Sequence, residues 1–163
     1  MNIHFKLDIL VISSPNDNRT EIFNSLSGCN IFNASSFFET IEKFSTNEPD
    51  IVFIDDDLTT FDTDTVIREI IKLDNTAVCV ILSSNANKER IITAQSTGAF
   101  AYILKPFSVT KVHECVKKVM DLQVELLQAP YSDLELKKAK NFSEKLKKNE
   151  NTGCEDTIIH KLS

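Results

Sequence analysis

Tryptophan is absent from this chain of 163 residues, tyrosine occurs twice and glycine three times. With no tryptophan, so little tyrosine and so little glycine, the chain has few of the rings that commonly stack on a flavin and little means to wrap a phosphate closely in backbone. No apolar run approaches the roughly 20 residues needed to cross a bilayer. The start, Met1-Asn2-Ile3-His4-Phe5-Lys6, lacks the charged-then-apolar layout of a signal peptide, so no membrane association and a cytoplasmic location are expected. The four cysteines, Cys29, Cys79, Cys115 and Cys154, are scattered and form no Cys-x-x-Cys pair. That spacing argues for reduced, mostly buried thiols and against a zinc site. Basic residues are also scarce where a nucleic acid would need them. Residues 1–130 carry 11 basic groups against 18 acidic ones, which argues against direct DNA binding by the main body. The exception, six lysines against Glu144 between Lys137 and Lys148, reads as a solvated helix face.

What is present is a regular alternation. Apolar, Val/Ile/Phe-rich runs at about 7–13, 29–34, 51–55, 77–83 and 100–104 read as strands. Segments with helical periodicity lie between and after them, at 16–26, 36–46, 63–73, 86–97 and 108–127. Near-continuous apolar strands alternating with helices predict an α/β fold, a doubly wound five-stranded parallel sheet covered on both faces. Ser14-Pro15 and Ser108 are placed to cap helices, and Ser132-Asp133-Leu134-Glu135 forms a capping box. A C-terminal helix to about Lys148 and a frayed tail over 149–163 are therefore expected. The predicted organisation is one domain over 1–127, with a helical and flexible extension over 128–163.

The chemistry lies at strand ends. Asp55 follows Ile51-Val52-Phe53-Ile54, Ser83 follows Val78 to Leu82, and Lys105-Pro106 follows Ala101-Tyr102-Ile103-Leu104. In an open parallel sheet such ends meet in one crevice where ligands bind. A carboxylate, a hydroxyl and an ammonium gathered there can accept and hold a phosphoryl group. Asp56 and Asp57 are rival acceptors, although strand alternation turns Asp56 to the opposite side. Each residue also has a plainer reading: the Asp triplet as a turn, Ser83 as a capping hydroxyl, Lys105 as a strand-end lysine, and Tyr102 as a packing residue. The first strand delivers Ser13-Ser14 to the crevice, where a metal site would want carboxylates.

Over residues 7–127 the chain resembles the receiver domain of two-component response regulators, of the chemotaxis-Y-like kind. The matching residues are Pro49-Asp50-Ile51-Val52-Phe53-Ile54-Asp55, Leu82-Ser83-Ser84 and Gly98-Ala99-Phe100-Ala101-Tyr102-Ile103-Leu104-Lys105-Pro106-Phe107, with Arg19 in the first helix. The resemblance implies a flavodoxin-like sheet of order 2-1-3-4-5. It implies Asp55 as phosphoacceptor for the phosphohistidine of a sensor histidine kinase or phosphotransfer protein. Lys105 would face the phosphoryl oxygens, the Ser83 hydroxyl would shift towards them, and Tyr102 would be the switch aromatic. It implies Mg²⁺ as cofactor, held here only weakly, through Asp55 and Asp57.

Two departures make the chain atypical. The family's acidic pair is replaced by Ser13-Ser14, and the turn after Asp55 reads Leu58-Thr59-Thr60-Phe61-Asp62-Thr63. Three functions follow. The first is a single-domain receiver phosphorylated on Asp55, not an enzyme, whose output passes by protein contact through the segments at 86–97, 100–104 and 108–127. A downstream protein or a second copy of the chain would dock there. The second is a phosphorylation-independent pseudo-receiver that binds partners constitutively. The third is a flavin carrier with Ser13-Ser14-Pro15-Asn16-Asp17-Asn18-Arg19-Thr20 as its phosphate loop, disfavoured because that loop has no glycine.

Overall fold

The computed structural model describes residues 6–15, 17, 23–24, 26, 28–127 and 157–159. Five strands form the parallel part of the sheet: β1 (Asp8–Ile12), β2 (Asn30–Ala34), β3 (Ile51–Asp55), β4 (Val78–Ser83) and β5 (Ala101–Leu104). Four helices are described in full, α1 (Phe37–Asn47), α2 (Thr63–Leu73), α3 (Lys88–Thr97) and α4 (Val109–Leu127). The strand order is β2-β1-β3-β4-β5, as the resemblance implied. Of the helix expected over 16–26, Asp17, Phe23, Asn24 and Leu26 are described, and of these Phe23 and Asn24 are helical. The helix expected from Ser132 lies outside the described residues.

Strand alternation divides the core in two. Ile9, Val11, Ile51, Phe53, Val80 and Ile103 pack with Phe23, Val112, Cys115 and Val119. Leu10, Ile12, Val52, Ile54, Ile81 and Tyr102 pack with Phe44, Val66, Ile70, Ile91 and Ala94. Because both faces are covered, the central strands carry apolar residues at every position. Burying one such large side chain contributes roughly 1.5–3 kcal/mol. Val66, Ile67 and Ile70 carry the buried face of α2, while Leu73 at its end is 55% exposed.

The helix starts follow local chemistry. Ser36, Asp62 and Asn87 accept from the backbone amides of Glu39, Thr65 and Glu89, and Lys111 N donates to Ser108 Oγ at 3.4 Å. These bonds satisfy amides that the helix itself leaves orphaned. Gly98 closes α3 at φ 115°, and a Cβ there would lie 2.5 Å from Ile71 Cδ1, so the position requires glycine.

One expectation fails at the far end of the chain. Within the tail read as frayed, Thr157–Ile159 forms a sixth strand, β6, antiparallel to β5, with Tyr102 opposite Ile158. The reason is that β5 would otherwise end the sheet with unpaired N–H and C=O groups. A short β-branched segment can satisfy them.

Candidate functional site

The register fixes what meets at the carboxyl end of the sheet. Asp55 lies beside Leu82, and Ser83 lies beside Leu104, so the last residues of β3, β4 and β5 are near neighbours. Asp55 is 4% exposed and Ser83 is fully buried. These are unusual environments for polar side chains, and they require internal partners.

Asp55 Oδ1 accepts from Lys105 Nζ at 2.6 Å and from the Asp57 amide at 2.9 Å. Lys105 Nζ also donates to Asp57 Oδ2 at 2.8 Å. One ammonium therefore ties together the carboxylates on either side of Asp56. Asp57 is further held by the amide and hydroxyl of Ser84. Partial burial pushes the Asp57 carboxyl up, but the Lys105 and Ser84 bonds outweigh it and hold the group below its usual value. The Lys105–Pro106 peptide is cis, and Ser84, Lys105, Pro106 and Phe107 line a shallow cleft beside the site.

Asp56 turns to the other face of the sheet, as alternation requires. There Arg90 grips it at two points, Nε to Oδ2 at 3.0 Å and Nη2 to Oδ1 at 2.7 Å. Arg90 Nη1 also donates to both oxygens of Asp64, at 3.1 and 3.2 Å. The hydrogen bond with Asp56, strengthened by the two nearby negative charges, raises the Arg90 guanidinium above its ordinary value. Sequence reading missed Arg90 and Asp64. They are 34 and 8 residues from Asp56 in the chain and share no local pattern with it.

The Ser83 hydroxyl donates to Asp56 Oδ2 at 3.2 Å and accepts from the Asn85 amide at 3.1 Å. Its capping role in the turn after β4 is thus present. Tyr102 is fully buried, and its hydroxyl donates to the Asn85 carbonyl at 2.7 Å. Burial raises the Tyr102 phenol, while the adjacent Ser83 hydroxyl works against that rise. The two residues expected to form a switch do share one loop, through Asn85.

The donor set does not fit a tight Mg²⁺ site. Ser13 and Ser14 bring neutral hydroxyls from the end of β1, and Lys105 already bridges Asp55 and Asp57. Among the described residues no group of three or more His, Cys, Asp or Glu side chains could hold a metal ion. Mg²⁺ needs several hard oxygens in near-octahedral array, and an ammonium between the two carboxylates opposes a second cation. Nor is any described helix long and apolar enough to cross a membrane.

Comparison with known proteins places the fold in a known family. The family model of the response regulator receiver domain matches residues 9–117. The chemotaxis protein CheY of Thermotoga maritima is 33% identical over 81 residues, covering 50% of this chain and 68% of that protein. Sporulation initiation phosphotransferase F of Bacillus subtilis is 22% identical over 103 residues, covering 63% of this chain and 82% of that protein. Among solved structures, a two-component response regulator from Clostridium difficile superposes with a TM-score of 0.66 at 24% identity, covering 71% of this chain and 97% of that one. The receiver domain of a LuxO repressor protein from Vibrio parahaemolyticus reaches a TM-score of 0.68 at 13% identity, covering 77% and 100%. The chain belongs to the response regulator receiver family.

Proposed function

We propose that this chain is a signalling protein whose Asp55 accepts a phosphoryl group from the phosphohistidine of a sensor histidine kinase or phosphotransfer protein. The observation that carries the reading is the contact of Lys105 Nζ with Asp55 Oδ1 at 2.6 Å, made across strand ends 50 residues apart. An Asp55 carboxylate oxygen attacks phosphorus in line, the P–N bond to the donor imidazole breaks, and that electron pair leaves on the imidazole. Catalysis of such a transfer is mostly positioning and charge neutralisation. The Asp57 amide and Lys105 hold the carboxylate in place, and the ammonium then faces the transferred oxygens. Mg²⁺ at Asp55 and Asp57 would sit beside the Lys105 ammonium, whose repulsion weakens further the weak metal site expected from Ser13-Ser14.

Output by protein contact is the companion proposal. Ile92 on α3 and Val109 on α4 are 48% and 38% exposed, which provides apolar surface next to the switch for a downstream protein or a second copy of the chain. A second reading, the constitutive pseudo-receiver, draws on the same lysine. Lys105 neutralises Asp55 without any phosphoryl group, in a pocket whose β1 end supplies serines.

Intact mass after incubation with a small phosphodonor separates the two, with and without chelator and in Asp55→Asn. The expected result is a gain of one phosphoryl that persists in chelator and is absent from Asp55→Asn. A gain abolished by chelator shows that transfer to Asp55 needs a bound metal despite the Lys105 bridge. No gain on folded protein leaves the pseudo-receiver.

A further inference from the structure

Ser83 has a single O–H to donate, and it is spent on Asp56 Oδ2 at 3.2 Å. Any phosphoryl group on Asp55 must win that proton from Asp56. How firmly Asp56 keeps it depends on what else Asp56 binds. Arg90 Nε shares the same Oδ2 at 3.0 Å, and Arg90 Nη2 takes Oδ1 at 2.7 Å. Against these the 3.2 Å serine bond is long, since a hydroxyl bound to a carboxylate ordinarily lies at about 2.5–2.7 Å. Asp56, Asp64 and Arg90 are mostly buried, with side chains 11%, 16% and 19% exposed. A carboxylate left unpaired there would be costly. Arg90 removes that cost, because Asp56 remains paired at two points when Ser83 leaves.

We propose that Arg90 is a positioning residue of the switch. By satisfying Asp56 it loosens the hold of that carboxylate on the Ser83 hydroxyl and lets the hydroxyl turn to a phosphoryl group on Asp55. Asp56 is then the resting acceptor of the Ser83 hydrogen bond, and Arg90 sets how readily that bond is broken. Asp64 anchors the guanidinium from α2 through both of its oxygens. The inference rests on the phosphoacceptor reading of Asp55, and it assigns to the Asp56–Arg90–Asp64 cluster a task the acceptor chemistry alone does not require.

The test uses the full chain and two readouts. In Arg90→Met, Asp56 retains Ser83 as its remaining partner and draws the hydroxyl closer. Labelling of Asp55 by a small phosphodonor, followed by intact mass, should slow on the order of tenfold. Adding Asp56→Ala to Arg90→Met should restore the rate, whereas two buried deletions that merely damaged the fold would compound. Arg90→Lys, which keeps charge but loses the two-point fit, should fall between.

The second readout needs no phosphoryl group. Amide exchange at Asn85, whose N–H donates to Ser83 Oγ, should slow in unmodified Arg90→Met and quicken in Asp56→Ala. Faster or unchanged Asn85 exchange in Arg90→Met, or failure of Asp56→Ala to rescue labelling, overturns the proposal. Absence of label on wild-type protein would instead refute the acceptor reading. The exchange data would then still decide whether Arg90 loosens Ser83.

Discussion

Lys105 Nζ lies 2.6 Å from Asp55 and 2.8 Å from Asp57, so a single cation from the end of β5 pairs with two members of an aspartate triplet. Removing it by Lys105→Met leaves Asp55, whose side chain is 6% exposed, without its ammonium partner. Breaking a buried pair in this way costs on the order of 3 kcal/mol. Chemical denaturation should show that loss at neutral pH. The Asp55→Asn/Lys105→Met double variant should recover most of it, because the neutral amide no longer needs a cation.

Glu39 gives the α1 end of the molecule a pH response. Its hydrogen bond from Lys43, with those from Ser35, lowers its carboxyl to about 2. A carboxyl depressed in the folded state stabilises fully above its unfolded value and loses that contribution as pH falls through the folded one. Urea midpoints of wild type and Glu39→Gln should therefore differ most at neutral pH and converge as pH falls from about 4 towards about 2. A gap that does not narrow would deny Glu39 this role.

Cys79 and Cys115 are fully buried, and burial pushes both thiols up to about 12. Little thiolate forms at mild alkaline pH, so neither should react with iodoacetamide until the protein unfolds. Mass mapping of alkylated peptides before and after denaturant checks this. Modification of either on native protein would contradict the packing.

Asp62 caps α2 by accepting from the Thr65 amide at 3.0 Å and the Thr65 hydroxyl at 2.6 Å. The Thr65 hydroxyl bond keeps its carboxyl low. Asp62→Ala should lower stability by about 1 kcal/mol, while Asp62→Asn, which can still accept from the amide, should lose less. Equal losses would mean that charge alone matters there.

β6 covers the outer edge of β5, pairing Ala101 with Ile159 and Ile103 with Thr157. Removing residues 150–163 should speed amide exchange along β5 and leave β3 unchanged. Unchanged exchange at β5 would show that the edge is protected without that strand.

Much of this protein could be read locally. The periods of its apolar residues placed all five parallel strands within a residue or two. Alternation separated Asp55 from Asp56, because successive strand residues must face opposite sides. The same parity sets Ile51 and Phe53 in the half of the core that holds α4, and Cys79 and Ile81 in the half that holds α3. The meeting of Asp55 with Lys105 was legible because strand ends in a parallel sheet converge. What the sequence could not disclose is which partner each of these groups takes. Ser83 donating to Asp56, Arg90 spanning Asp56 and Asp64, and Lys105 bridging Asp55 and Asp57 are pairings between residues 26 to 50 positions apart. Only packing sets those distances, since a buried charge takes whichever opposite charge the folded elements bring within reach. The edge strand Thr157–Ile159 was illegible for a related reason: three β-branched residues carry too weak a signal alone, and the unpaired edge of β5 supplies the rest.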